Sequence, residues 1–367
     1  MKYPFLDLGI VNAPYRERLV EASTRVINSG RYIGGPEVED LERWLTQFTH
    51  TNYAVGVSNG LDALRLILEG YKVMGSLQDG DGVIVPANTY IASVLAVTAS
   101  GLKPVFVDPD AETMNLSGSA LRNHITPDVK AIMPVHLYGR LAWDEEMADI
   151  VSKNHLIVIE DGAQAIGAEG MGRLGGATAL SFYPTKNLGA FGDAGAVVTD
   201  NEELARTVRA IANYGSDRRY HNIYRGFNCR MDPMQAAMLM VQATDLQSAN
   251  ERRRRRAQLY NQLITNPVII TPAEPNNPLA HVWHQYVVCV AQGGRDEFRR
   301  YLTAHGIGTD IHYPVPPHRQ PCYGEYSESN LPIAEKLAAS VLSLPISDCT
   351  SISDVKEISE IINQYRP

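Results

Sequence analysis

Nearly continuous apolar runs recur at 53–57 (YAVGV), 83–86 (VIVP), 104–108 (PVFVD), 131–135 (AIMPV) and 156–160 (LIVIE). Runs without polar alternation suit parallel strands covered on both faces. Between them, 61–74, 90–100 and 144–154 carry apolar residues at helical spacing. Alternation of this kind predicts an α/β fold with a doubly wound sheet. The rhythm breaks at 177–182 (ATALSF) and 195–199 (GAVVT), which follow one another with only a Gly-rich loop between them. One long helical region is expected from Asp232-Pro233 past Tyr260. Beyond it the Pro-rich stretch NPVIITPAEPNNP from 266 leads into a further strand at 282–290. The pattern therefore divides into a large domain, 1–245, and a smaller α+β domain, 246–367.

The chain has 367 residues, enough for about two domains, and a net charge of −8. A general nucleic-acid or anionic-membrane binder leans basic, so neither partner is expected. No run of about 18 apolar residues is present. The N-terminus MKYPFLDLGI lacks a signal-peptide core, so the expected location is the cytoplasm. Cys229, Cys289, Cys322 and Cys349 are scattered without a C-x-x-C pair, which argues against a disulfide framework and a zinc knuckle; no metal is expected. The arginine run 252–256 cannot form one stripe, because five helical residues sweep about 500°. It is expected to be a solvated helix with some interface ion pairs.

Three segments carry chemistry. In SFYPTKNLGAFGDAG, 181–195, Lys186 lies among apolar, aromatic and Gly neighbours. Desolvation favours the neutral amine, which makes such a lysine a usable nucleophile. In LIVIEDGAQAIGA, 156–168, an apolar strand ends in Glu160-Asp161, at the sheet edge where α/β folds gather ligand groups. In SNGLDAL, 58–64, a strand passes through a Gly turn into a helix, whose first N–H groups can hold a phosphate. Asp62 would repel that phosphate if it faced the same way, so it is expected to point aside. The string Gly170–Gly175 matches G-x-G-x-x-G, but a strand follows it and not a helix, which excludes a dinucleotide fingerprint. Phosphate cradle, strand-end acid and desolvated lysine together describe a site for pyridoxal 5'-phosphate (PLP). The lysine would join the aldehyde, and the acid would keep the pyridine nitrogen protonated.

The motifs Ser58-Asn59-Gly60, Pro86–Tyr90, Pro134–Gly139, Glu160–Gln164, Ser181–Gly189, Gly226–Asp232, His312-Tyr313-Pro314 and Leu342–Pro345 resemble those of the DegT-like nucleotide-sugar aminotransferases over nearly the whole chain. The resemblance implies fold type I of the PLP enzymes, the aspartate aminotransferase-like fold. That is a large domain with a mainly parallel seven-stranded sheet, a smaller C-terminal domain, and a homodimer with its site at the interface. It implies that Lys186 is the catalytic lysine, that Asp161 pairs with the pyridine nitrogen and that Gln164 lies by the ring's phenolic oxygen. Tyr90 would stack on the ring. Gly60, Leu61 and Ser181 would hold the phosphate, with Asn228 reaching it from the partner subunit.

The segments around 60 and 90 are most similar to enzymes that aminate C3 of a dTDP-linked 3-keto-6-deoxyhexose, with L-glutamate as donor. In that group residues matching Tyr183, His312 and Tyr313 border the sugar. Alternatives are amination at C4, a PLP-dependent dehydratase or lyase, and a non-catalytic PLP-binding regulatory protein. Relatives that act as dehydratases carry His at the lysine position, and this chain keeps Lys186.

Among the other histidines, His136 is expected to border the cofactor. His284 and His318 are expected to line the sugar, the interface or the core. Met231, Met234, Met238 and Met240 on one helix are expected to pack a dimer core.

Overall fold

The computed structural model describes residues 1–291 and 294–367. Seven strands form the central sheet: β1 (Tyr53–Val57), β2 (Gly82–Pro86), β3 (Lys103–Val107), β4 (Val129–Ile132), β5 (Ile157–Asp161), β6 (Ala177–Ser181) and β7 (Gly195–Thr199). Their order is β1-β7-β6-β5-β4-β2-β3. Only β7 runs against its neighbours, β1 and β6; the other pairings are parallel. Six strands therefore end at one edge of the sheet, and the three chemistry-bearing segments leave it there. The expected break of rhythm is the antiparallel pair β6–β7, whose connecting loop holds Lys186.

The apolar runs are continuous because both faces of the sheet are covered. Val55, Val57, Val197 and Ile159 join one buried cluster, with Leu64 and Leu68 of the helix Gly60–Val73. Their neighbours Ala54, Ala196 and Val198 point the other way, into a cluster with Leu41 and Leu45 of the helix Pro36–Thr49. A hairpin, β8 (Ser216–Arg218) and β9 (His221–Asn222), stands outside the sheet.

The C-terminal unit has its own core. An antiparallel sheet of β10 (Ile269–Ile270), β11 (Tyr286–Val290) and β12 (Val341–Leu344) packs with the helices Leu246–Leu263 and Ile352–Gln364 around Tyr260, Phe298 and Ile358. Tyr3 belongs to this core, and its backbone pairs with Gly306 and Gly308. In the other direction, Tyr323, Leu331 and Ala334 pack into the main cluster. No helix among the described residues is long and apolar enough to cross a membrane.

Several expectations are corrected. The expected helical region is present as two helices, Pro233–Ala243 and Leu246–Leu263. Neither Gly nor Pro marks the break. Asp245 stands there, its carboxylate accepting from Tyr15 and Arg252, so a tertiary contact anchors the joint. Only Tyr286–Val290 of the run 282–290 is strand; Val282 and Gln285 instead donate to the backbone of Gly139 and Tyr138.

The arginine run is not a solvated face. Arg253, Arg254 and Arg256 are buried. Arg253 donates to the carbonyls of Trp283 and His284, Arg254 to His281, and Arg256 to Thr350 and Asp348. Guanidinium groups here satisfy loop carbonyls, Arg252 is half-buried against Asp245 and Asp348, and Arg255 is exposed. Met231 is buried in the chain's own core and precedes the helix that carries the others; Met240 packs against that core, Met234 packs against Ala22, Val26 and Ala237, and both stay partly exposed.

Candidate active site

A cavity of about 490 Å³ opens at the carboxyl edge of the sheet. Ten of the eleven residues singled out from the sequence line it: Gly60, Leu61, Tyr90, Asp161, Gln164, Ser181, Tyr183, Lys186, His312 and Tyr313. Asn228 does not; it is exposed on its own chain.

The cradle is built by close approach. A Cβ on Gly60 would lie 2.6 Å from Ser181 Cβ, and one on Gly195 would lie 2.4 Å from the Asn59 carbonyl carbon. Only glycine lets the start of helix Gly60–Val73 meet the end of β6. Asn59 caps the helix by accepting from Asp62 N–H, while the N–H groups of Gly60 and Leu61 precede any intrahelical acceptor. Asp62 points aside as expected. Its oxygens accept from Ser58, Asn59 and Arg65, which ties the charge away from the cradle.

Successive residues of β5 face opposite ways, so its two acids have separate roles. Glu160 accepts from His136 Nε2 at 3.0 Å and from the N–H groups of Gly172 and Leu174. The G-x-G-x-x-G string is therefore a turn that wraps this carboxylate before β6. His136 is fully buried, and its Nδ1 accepts from Ala142 N–H. It does not border the cavity, contrary to expectation, because both ring nitrogens are committed to the fold.

Asp161 faces the cavity and is 5% exposed. Ser93 donates to it at 2.7 Å and Ala163 N–H at 3.1 Å. Since Ser93 gives its proton to Asp161, Thr89 donates to the Ser93 oxygen, 2.8 Å away. Sequence reasoning missed Ser93 and Thr89. Their spacing of four across a helix start was the available signal, but it is shared by many Thr/Ser pairs.

Lys186 sits in the loop 182–194, which closes through Phe182 and Ala194 and through Lys186 N–H to Tyr183 O. Burial lowers its ammonium pKa to about 8, and Asp161 opposes the shift. A sizeable fraction of neutral amine is thus present near pH 8.

The opposite wall comes from the C-terminal unit. The Gln164 amide is held by Tyr138 N–H at its oxygen, and its nitrogen donates to the Tyr313 hydroxyl at 3.0 Å. Burial raises the Tyr313 phenol above its ordinary pKa, so it keeps its proton and can donate it onward. The Tyr90 ring lies 5.1 Å from that of Tyr313. His312 contacts Ser343 through Nδ1 at 2.8 Å, and burial keeps its imidazole below its usual pKa. Tyr183 is half exposed across the opening. His284, on the same wall, is buried; His318 lies elsewhere, beside Phe106 and Glu335.

A cofactor with a phosphate, a protonated ring nitrogen and an aldehyde fits this donor set. Ser181 Oγ donates to no protein group among the described residues and stands beside the free N–H groups of the cradle. Asp161 is a buried carboxylate on the cavity wall with no ion-pair partner among the described residues. Lys186 supplies the amine.

The fold is that of the PLP-dependent aminotransferases. The model of the DegT/DnrJ/EryC1/StrS aminotransferase family matches residues 15–363, and the chain belongs to that family. It is 45% identical over 366 residues to the dTDP-3-amino-3,6-dideoxy-alpha-D-galactopyranose transaminase of Aneurinibacillus thermoaerophilus, covering 99% of both chains. Streptomyces venezuelae DesV, solved with a ketimine intermediate, superposes with a TM-score of 0.93 at 41% identity, covering 99% of this chain and 98% of that one. NtdA of Bacillus subtilis, solved with bound cofactor PMP, superposes with a TM-score of 0.91 at 32% identity, covering 98% of this chain and 85% of the other.

Proposed function

We propose that this enzyme uses PLP to move the amino group of L-glutamate to C3 of a dTDP-linked 3-keto-6-deoxyhexose. The observation that carries the reading is one cavity joining the Gly60–Ser181 cradle, Asp161 and Lys186 to a polar wall of Tyr183, His312 and Tyr313. The similarity to a dTDP-3-amino sugar transaminase supports the sugar class.

When bound, the cofactor supplies an aldehyde to carry the amine and a ring that accepts electron density from the substrate carbon. The chain supplies the rest. Gly60 and Leu61 N–H groups and the Ser181 hydroxyl would hold the phosphate. Asp161, aimed by Ser93 and Ala163, would hold the proton on the ring nitrogen. Tyr90 would pack over the ring, and Gln164 would lie by its phenolic oxygen. Lys186 Nζ takes a proton from the carbon of the amino donor and returns one to the sugar carbon. With a pKa near 8, the amine both accepts and releases that proton near neutral pH.

Only the carbonyl nearest the amine can react, so regiochemistry depends on how the hexose is held. Polar groups that bond a hydroxyl discriminate sharply, because a wrong substrate leaves them unpaired. With a panel of dTDP-3-keto and dTDP-4-keto sugars and glutamate, NMR is expected to place the new amine on C3. Tyr183→Phe and His312→Ala are expected to cut the sugar half-reaction by roughly tenfold more than the glutamate half-reaction. An amine on C4, or equal losses in both halves, would refute the assignment.

The working unit is a homodimer in this reading, with Asn228 serving the partner's site. Two features support it: Asn228 is exposed and off its own cavity, and the adjoining hairpin leaves Tyr214, Tyr220 and Ile223 exposed. In a C2 dimer, mixing inactive Asn228→Asp and Lys186→Ala chains creates heterodimers with one lesion-free site. With equal mixing and full exchange, activity is expected to recover to about a quarter of the parent's. Exchange verified by mass spectrometry without recovery would place Asn228 in its own subunit's site.

A further inference from the structure

The loop that carries Lys186 is tied to the C-terminal unit by a chain of amides whose polarity is fixed at both ends. Asn250 donates through Nδ2 to the carbonyl of Ile166 at 3.0 Å, so its Oδ1 faces Asn187. Asn187 donates through Nδ2 to that oxygen at 2.8 Å and to the carbonyl of Val282 at 3.2 Å. Backbone carbonyls can only accept, so neither amide can be turned round. Asn187 Oδ1 is left as an acceptor, and it faces His284 Nδ1 at 3.1 Å. That nitrogen must carry the proton.

The imidazole is also neutral. It is buried, and the cations of Lys186 and Arg253 add to the burial in lowering its pKa well below the usual value. A neutral ring protonated at Nδ1 has a lone pair at Nε2. The Gln285 amide nitrogen lies 3.5 Å from Nε2, at the outer limit of a hydrogen bond. His284 lines the cavity with Lys186, His312 and Tyr313. Those neighbours offer protons: Lys186 as ammonium, and Tyr313 as a phenol that burial keeps protonated. His284 Nε2 is the complementary acceptor on this wall.

We propose that His284, locked in one tautomer by Asn187 and Asn250, is a substrate-positioning residue that accepts a hydrogen bond from a hydroxyl flanking the reacting carbonyl of the sugar. The inference rests on the C3 reading, in which the flanking hydroxyls are those on C2 and C4. A ring held by its far nitrogen cannot swing away, so it reads the place of that hydroxyl as well as its presence. Because Asn187 follows Lys186 directly in the chain, the acceptor and the reacting amine are held by one scaffold.

Two replacements separate the ring's two nitrogens. His284→Asn keeps an N–H near the Nδ1 position, and so the bond to Asn187, but has nothing at Nε2. His284→Gln reaches the Nε2 position with an amide oxygen and gives up the bond to Asn187. For His284→Asn, stopped-flow absorbance of the two half-reactions is expected to show the sugar step slowed by about tenfold and the glutamate step by much less. His284→Gln is expected to recover part of the sugar step while lowering the melting temperature more than His284→Asn does. The parent should lose about tenfold on a substrate lacking either the C2 or the C4 hydroxyl, and His284→Asn should lose nothing further on that same analogue. Equal losses in both half-reactions for His284→Asn, or full additivity with both deoxy analogues, would overturn the proposal. NMR of the product separates the two readings: an amine on C4 refutes the C3 assignment whatever the variants do.

Discussion

Lys186→Ala is expected to lower turnover by at least ~10³-fold while leaving a folded protein. In the proposed mechanism two functions are lost together: the amine that joins the cofactor and the base that moves the proton. Borohydride treatment of the parent should fix the cofactor to Lys186, as read by peptide mass spectrometry, and should fix none in the variant. A variant with normal turnover and a reducible adduct on another lysine would refute the assignment.

The same residue has a stability signature in the cofactor-free protein. The folded pKa is about 8, against roughly 10.4 in an unfolded chain. Between those values the unfolded state binds the proton that the folded state lacks, so stability rises with pH across that window. Below pH 8 the whole cost of the buried ammonium is present. Cofactor-free Lys186→Met should therefore melt higher than the cofactor-free parent at pH 7, by an amount on the order of 1–2 kcal/mol after discounting for its partial exposure to the cavity. The difference should shrink towards pH 10. A constant difference from pH 7 to pH 10 would mean that burial does not perturb the amine.

Asp161→Asn is expected to be the next most damaging change, costing about 10²–10⁴-fold in both half-reactions. The amide has nearly the same shape, so Ser93 and Ala163 can still bond its oxygen. What disappears is the carboxylate that, in the proposed site, keeps the ring nitrogen protonated. Because the ring serves both substrates, the loss should be equal in the two halves, unlike that of the Tyr183 and His312 variants. The absorbance of the bound cofactor should also shift and become pH-dependent near neutrality. A sugar-specific loss would place Asp161 against the substrate instead of the cofactor. Ser93→Ala leaves the charge and removes the donor that aims it, so its effect should be milder.

Much of this site is legible along the chain, for local reasons. Apolar runs in β1, β2, β5 and β6 specify covered strands, and the chemistry sits in the few residues after each of them. Strand direction alone brings Ser58–Leu61, Tyr90, Asp161 and Ser181 to one edge. The residue order Gly60, Asp161, Lys186 is thus almost a map of the cavity. The strand alternation in β5 likewise separates Glu160 from Asp161, although which of them faces the cavity follows from the sheet.

Other features depend on contacts between distant segments. The arginine run reads as surface by charge, yet Arg253, Arg254 and Arg256 are buried because the irregular backbone at 281–284 and the turn at Thr350 need donors. The helix break at Asp245 is set by Tyr15 from the far end of the chain. His136 and His284 are both buried imidazoles next to strands, and their neighbourhoods along the chain do not show which of them is consumed by the fold. Packing does: Glu160 and Ala142 engage both nitrogens of His136, whereas Asn187 engages one nitrogen of His284 and the other, among the described residues, meets only the Gln285 amide nitrogen at 3.5 Å. Sequence by itself determined the covered strands of the large sheet, the Gly turn, the Glu160-Asp161 pair and the position of the lysine, because each is a local pattern of residues along the chain. Only tertiary structure decided which buried polar groups are consumed by the fold and which remain free, because that depends on partners supplied from elsewhere in the chain.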